Sequence, residues 1–288
     1  MRAKRFLPVQ MILGEGPVWD RRDGSLRWVD ITGGALWRCD WQTGALSCRT
    51  YGENVGMAQP ARDGGWVLAL EKSVVLERDG ALTSIVEGVE AERPENRFND
   101  GVCDAAGRLW LGTMHRGATR PEAALYRIQP DGRYERAEGN LTVSNGLAFS
   151  PDNRYLYHVD TPARTVYRYD FDVETGAIVN RQKWIDAGDE PGCFDGIAVD
   201  AQGTLWAAHW GGFQVTRWDP VSRRKLDTLP IPVPNPTACC FAGPGLTTLV
   251  ITTGMGLDRG LKHAYPELGS LYACQTDTRG LPPFEMAL

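Results

Sequence analysis

The stretch CFDGIAVDAQGTLW, Cys193 to Trp206, has near copies elsewhere in the chain: RFNDGVCDAAGRLW at 97–110 and VSNGLAFSPDNRYLY at 143–157. A shorter relative, LGEGPVWD at 13–20, runs on into RRDGSLRWVDI. Each begins with a carboxylate or carboxamide before a glycine: Glu15, Asp100, Asn145 and Asp195. Each then passes through a short apolar run and an Asp, Asn or Gly turn to a second, aromatic-bearing run. The glycines fall at 16, 101, 146 and 196, so the later steps are 146−101=45 and 196−146=50, and the first, 101−16=85, is about two units.

Two weaker copies complete the series. MAQPARDGGWVLAL (57–70) keeps the turn, and PTACCFAGPGLTTLVITT (236–253) sets Thr237 against Asn145 when Phe241 is set against Phe149. Each copy reads as two short strands joined by a tight turn, and further strand pairs follow, such as ALYRIQPDGRYERA and TVYRYDFDVETGAIVNR. Four strands per unit of about 40–50 residues is the mark of a propeller blade. Long amphipathic helix patterns are missing, and 33 Gly with 18 Pro suit a turn-rich chain. The expected fold is all-β: a six-bladed β-propeller of four antiparallel strands per blade, one domain over residues 1–288. Pairing KRFLPVQM (4–11) with GSLYACQTD (269–277) would hide two sheet edges, so the N-terminal strand is expected to close the last blade.

In a blade, the start of the innermost strand and the end of the second lie on one face of the disc. The starts carry Glu15, Asp100 or its neighbour Asn99, Asn145 and Asp195; the ends carry Asp30, Thr113, Asp160 and His209. A single Asp-Gly is ordinarily a turn. Repetition in register instead gathers oxygen ligands at one channel mouth. Such oxygens suit Ca²⁺, Mg²⁺ or Mn²⁺ and also admit Zn²⁺ or Fe²⁺. Asn99 and Asp100 are adjacent and point to opposite sides of a strand, so one belongs to the site. Strict register selects Asp100. His158 sits mid-strand and is read as a packed residue, whereas His115 and His209 lie near the mouth.

Other classes are disfavoured. A net charge of −5 and the lack of a basic cluster argue against nucleic acid. No apolar run is long enough for a membrane span, and the N-terminus lacks a secretory signal pattern. The seven cysteines include no CxxC; Cys39 and Cys48 could face across a hairpin, but free thiols in a cytoplasmic protein are the expectation. There is no GxSxG, HExxH or GxxxxGK[ST], and GLDRGL and WGGF are too generic to bind phosphate.

With LGEGPVWD, NRFNDGVCDAAGRLWLGTM, SNGLAFSPDNRYLYHVDT and FDGIAVDAQGTLW, the chain resembles the senescence marker protein/regucalcin/gluconolactonase family over nearly its whole length. TMHRG, HVDT and WGGF are most similar to its bacterial sugar-acid lactonases. The resemblance implies a propeller with one divalent cation that hydrolyses aldonolactones, pentonolactones favoured, to aldonic acids. It implies metal ligation by Glu15, Asn145 and Asp195 and substrate contacts from Arg97 and Asn99, so that Asn99 is the choice over Asp100, which is left structural. The Glu that some members use after the Thr-Met pair is absent, with Gly117 at that place, leaving His115 or Arg116 as replacements. Asp195 is the expected general base as well as a ligand. His115, Asp160 and His209 are expected to face substrate, and Trp210 or Phe213 to form an apolar wall. The expected partner is a small sugar lactone, and the expected state a monomer or weak homodimer. The alternatives are a non-catalytic calcium-binding regulatory propeller, or a metal-dependent hydrolase of a non-sugar lactone or phosphotriester.

Overall fold

The computed structural model describes residues 1–256 and 259–288, so Leu257 and Asp258 of the GLDRGL stretch lie outside the described residues. Six four-stranded antiparallel sheets make the six blades. Their innermost strands are Gly14–Asp20, Met57–Pro60, Asn96–Cys103, Ser144–Phe149, Cys193–Val199 and Pro236–Ala242. Each inner strand touches those of the adjoining blades, the first against the sixth included, so the ring closes.

The closure is the one the edge argument expects. Lys4–Leu7 forms the outer strand of blade six, with Lys4 opposite Ala273 and Arg5 opposite Tyr272. The pairing covers the outer edge of the strand Leu271–Gln275.

The repeated turns have a definite chemistry. In DAAGRLW, Asp104 Oδ1 accepts from Ala106 N and Arg108 N, both at 3.0 Å, and Oδ2 accepts from Trp110 Nε1 at 2.9 Å. In DAQGTLW, Asp200 does the same for Gln202 N, Thr204 N and Trp206 Nε1. One aspartate therefore shapes the hairpin and fixes the tryptophan that fills the space between blades. Trp110 meets Phe149 and Phe171 edge-on, and Trp206 meets Phe241 likewise. Both tryptophans are fully buried, and such aromatic pairs add roughly 0.5–1.5 kcal/mol each beyond their burial.

The far end of the channel is stopped by the C-terminal segment. Gly280 N donates to Leu246 O, Met286 N to Pro60 O and Ala287 N to Gly107 O, so the segment straps blade six to blades two and three. Leu281, Pro282, Pro283 and Phe284 close a cavity of ≈170 Å³ lined by the inner strands. All seven cysteines are unbridged; Cys48 stands opposite Trp37 and Cys39 opposite Leu46. Among the described residues no helix is long and apolar enough to cross a membrane.

Candidate metal and substrate site

The polar-glycine heads are β-bulges. In five blades the inner strand has one more residue than its partner at the mouth: between Glu15 and Val18, Phe98 and Gly101, Asn145 and Leu147, Phe194 and Ile197, and Pro236 and Cys239. Blade six carries its bulge at Thr237 and Ala238, without a glycine, and blade two, which also lacks a polar-glycine head, runs in regular register. A bulge bends the strand and re-aims its side chains, here toward the axis. Glycine is needed because the inner strands crowd there: a Cβ at Gly146 would stand 2.3 Å from Asp195 O. Gly16 serves differently, taking a left-handed φ of 48° that glycine adopts without cost.

Glu15, Asn145 and Asp195 come together on this face, all buried. Glu15 Oε2 accepts from Gly16 N at 3.0 Å, and Asn145 Oδ1 accepts from Gly146 N at 3.2 Å. Asn145 Nδ2 donates to Asp195 Oδ1 and, at 3.2 Å, to Thr161 Oγ1. Burial first, then the charges of Asp195 and Asp100, push the Glu15 carboxyl well above its usual range. Burial and then Asp100 do the same to Asp195. Asp100 is itself pushed up to about 6 by burial, against the opposing hydrogen bond from Gly101 N.

No ion pair joins any of these three acids among the described residues. The opposing charge acting on Glu15 and Asp195 is that of Arg97, which makes no ion-pair contact with them, and a dry group of carboxylates so weakly compensated either binds protons or takes up a cation. Among the described residues no three His, Cys, Asp or Glu side chains cluster as a metal site, and the third member of this set is the carboxamide of Asn145. Two carboxylates and an amide are hard oxygen donors that fit a divalent cation. A half-turn of the Asn145 amide exchanges its donor for its acceptor.

Beside them lies Arg97, buried, with Nη1 donating to Phe98 O and Asn99 Oδ1, each at 2.8 Å. Its Nε and Nη2 have no partner among the described residues. Burial, followed by the charge of Arg116, brings this guanidinium down to about 10. Asn99 Nδ2 donates to Ser144 O at 3.0 Å and so ties blade three to blade four. Asp100 diverges from its neighbour within the bulge and lines the central cavity with Gln59. His115 is buried at the end of its strand, its Nδ1 accepting from Gly117 N at 3.1 Å.

Asp160 and His209 depart from expectation. Asp160 lies opposite Ser144 and His209 opposite Phe194, each one residue short of the ligand positions. Cross-strand partners share a face, so both side chains turn the other way from Asn145 and Asp195. Asp160 Oδ1 accepts from Val143 N at 3.0 Å and Thr142 N at 3.3 Å. His209 is fully buried between Pro191 O (2.9 Å from Nδ1) and Thr216 Oγ1 (2.7 Å from Nε2), which leaves it no substrate contact. Asp30 and Thr113 are engaged in the same inward manner, Asp30 with Ile12 N and Leu13 N, Thr113 with Glu90 and Ala124. His158 is packed as expected, its Nε2 2.8 Å from Ser144 Oγ. Trp210 rests against Gly254 and Gly256, while Phe213 turns to Tyr265, ring centroids 5.5 Å apart. Thr161, a partner of Asn145, carried no signal beyond its place after Asp160.

The same arrangement has relatives. The SMP-30/gluconolactonase/LRE-like region matches residues 13–255. The chain belongs to this family. Regucalcin of Danio rerio is 36% identical over 278 residues, 94% of each chain. Pentonolactonase XacC of Haloferax volcanii is 32% identical over 294 residues, 99% of this chain and 98% of its own. The crystal structure of a calcium-binding protein, regucalcin from Agrobacterium tumefaciens, superposes with a TM-score of 0.94 at 26% identity, covering 100% of this chain and 99% of that one. Membership of the SMP-30/gluconolactonase/LRE-like family thus spans proteins named for calcium and proteins named for lactones.

Proposed function

We propose that this member of the family hydrolyses a sugar lactone, a pentonolactone by preference, to its aldonic acid, with a divalent cation held by Glu15, Asn145 and Asp195. One observation carries the reading: buried carboxylates that make no ion-pair contact stand beside a buried guanidinium whose Nε and Nη2 have no partner among the described residues. The first calls for a cation and the second for a ligand oxygen. The name of the Haloferax volcanii relative supports the choice of substrate.

A bound cation supplies Lewis-acid polarisation and eases deprotonation of water. The remaining work falls to the chain. The open edge of Arg97 holds oxygens of the sugar, with Asn99 fixing the guanidinium through Nη1. Asp195 Oδ1 is occupied by Asn145, and Oδ2, without a partner among the described residues, takes the proton of the attacking water. The water oxygen bonds to the ester carbon, the ring C–O bond breaks, and the ring oxygen leaves as a hydroxyl by taking the proton that Asp195 had accepted, which restores the carboxylate. Asp160 and His209 take no part.

The test is a pH-drop assay with xylono-, arabinono-, galactono- and gluconolactones, with and without chelator, on wild type and on Asp195→Ala and Asn145→Ala. Turnover that needs a cation and both side chains supports the reading. Full activity in chelated protein or in either variant sinks it. Cation binding without turnover on any lactone, or on other esters, favours a binding propeller, in line with the relative described as calcium-binding.

A further inference from the structure

The loop after the second strand of blade two reaches over blade three at the mouth. The backbone oxygen of Glu71 accepts from Phe98 N at 3.2 Å, next to Arg97 in sequence. The Glu71 carboxylate, through Oε1, accepts from Arg116 Nη2 at 2.6 Å. Arg116 stands just beyond the strand Leu109–His115, whose Met114 lies opposite Arg97. Arg97 thus has a carboxylate and a second guanidinium for neighbours. Arg116 is the largest single charge acting on it, and Glu15, then Glu71 and Asp195, act in the opposite sense; of these three only Glu71 is paired with Arg116.

A carboxylate near an open guanidinium edge tends to close on it, because the charge-assisted, two-pronged pair is among the strongest side-chain contacts. Here Glu71 does not close on Arg97. Its Oε1 is taken by Arg116, and the Nε and Nη2 of Arg97 stay without a partner among the described residues.

We infer that Arg116 is a positioning residue for substrate binding: by holding Glu71, it keeps the Nε/Nη2 edge of Arg97 open for substrate oxygens. The identity of that substrate rests on the lactonase reading; the arrangement of the three side chains does not. The inference gives Arg116 a role other than direct contact in place of the Glu that some family members carry nearby.

The consequence is an asymmetry. Loss of Arg116 frees Glu71 to close on Arg97. Loss of the Glu71 charge leaves Arg97 open. Arg116→Gln is expected to raise KM about tenfold with kcat little changed, the loss of roughly one charge-assisted hydrogen bond in both ground and transition states. Glu71→Gln is expected to stay near wild type, and Arg116→Gln/Glu71→Gln to recover most of the lost affinity. A pair that only tethers two loops makes the single variants equally impaired and gives the double no recovery, which overturns the inference.

A crystal structure of Arg116→Gln supplies the readout that needs no substrate. Glu71 within hydrogen-bonding distance of Arg97 Nε or Nη2 supports the inference, and Glu71 left facing solvent overturns it. Wild-type protein that turns over no lactone defeats the functional reading alone, and the position of Glu71 in that crystal then decides the inference.

Discussion

Asp195 and Asp160 are the same residue type on the same face of the ring, 4% and 6% exposed, so burial does not tell them apart. Their partners do. Asp160 sits at the end of a second strand and accepts from the backbone N–H groups of Val143 and Thr142, which would otherwise be orphaned at the start of blade four. Asp195 sits in a bulge of an inner strand and accepts from the Asn145 amide, with two other carboxylates acting on the same small volume. One aspartate completes the fold, and the other is left incomplete by it. A buried acid whose hydrogen bonds are satisfied within the chain is structural; one facing like charges awaits a ligand.

The largest effect expected from this contrast is at Asp195. Asp195→Ala should lower lactone turnover by at least about a thousandfold and abolish cation binding, while metal-free protein melts no lower than wild type, since a strained buried carboxylate is gone. Calorimetric titration with Ca²⁺, Mn²⁺ and Zn²⁺ beside a thermal melt checks both halves. A large drop in the melting temperature of the metal-free variant would merge the two aspartates into one class.

Asp160→Ala should do the reverse. Unsatisfied N–H groups at Val143 and Thr142 cost about 1–3 kcal/mol, seen as a lower denaturant midpoint, with kcat/KM close to wild type. A selective loss of turnover without loss of stability would return Asp160 to the substrate site.

The smallest effect lies at His158, a buried base on the strand that ends in Asp160. Burial brings it from 6.5 down to about 3, so the folded protein keeps it neutral. Its contribution to stability is therefore present above about pH 6.5, the unfolded value, and lost as pH falls toward 3. The slope reaches roughly 1.4 kcal/mol per pH unit. Stability of His158→Gln, measured by urea unfolding between pH 7 and pH 5, should fall less steeply than that of wild type. Equal slopes would mean that His158 is protonated in the fold.

The ring and its closure were legible because they are repeated. The same apolar alternation returns blade after blade, and Asp104 and Asp200 make the same backbone and tryptophan bonds in their two copies. The heads of the inner strands were legible for the same reason. The second-strand ends were not. Counting placed Asp160 and His209 at the mouth, but the bulges insert one residue into each inner strand, and one residue of slip turns a side chain to the other face. Counting could not see the bulge, because its signal, a polar residue before glycine, is also the signal of a turn.

By itself the sequence determined how many blades there are, where they join and which polar residues stand at their heads, because each of these follows from a local pattern that repeats. Tertiary structure alone decided which of those polar residues satisfy one another. Glu15, Asn145 and Asp195 are far apart along the chain and meet only when the ring closes, while Asp160 finds its partners within its own blade. Whether a buried carboxylate is a brace or a ligand depends on the neighbours that closure brings, and no local pattern encodes those.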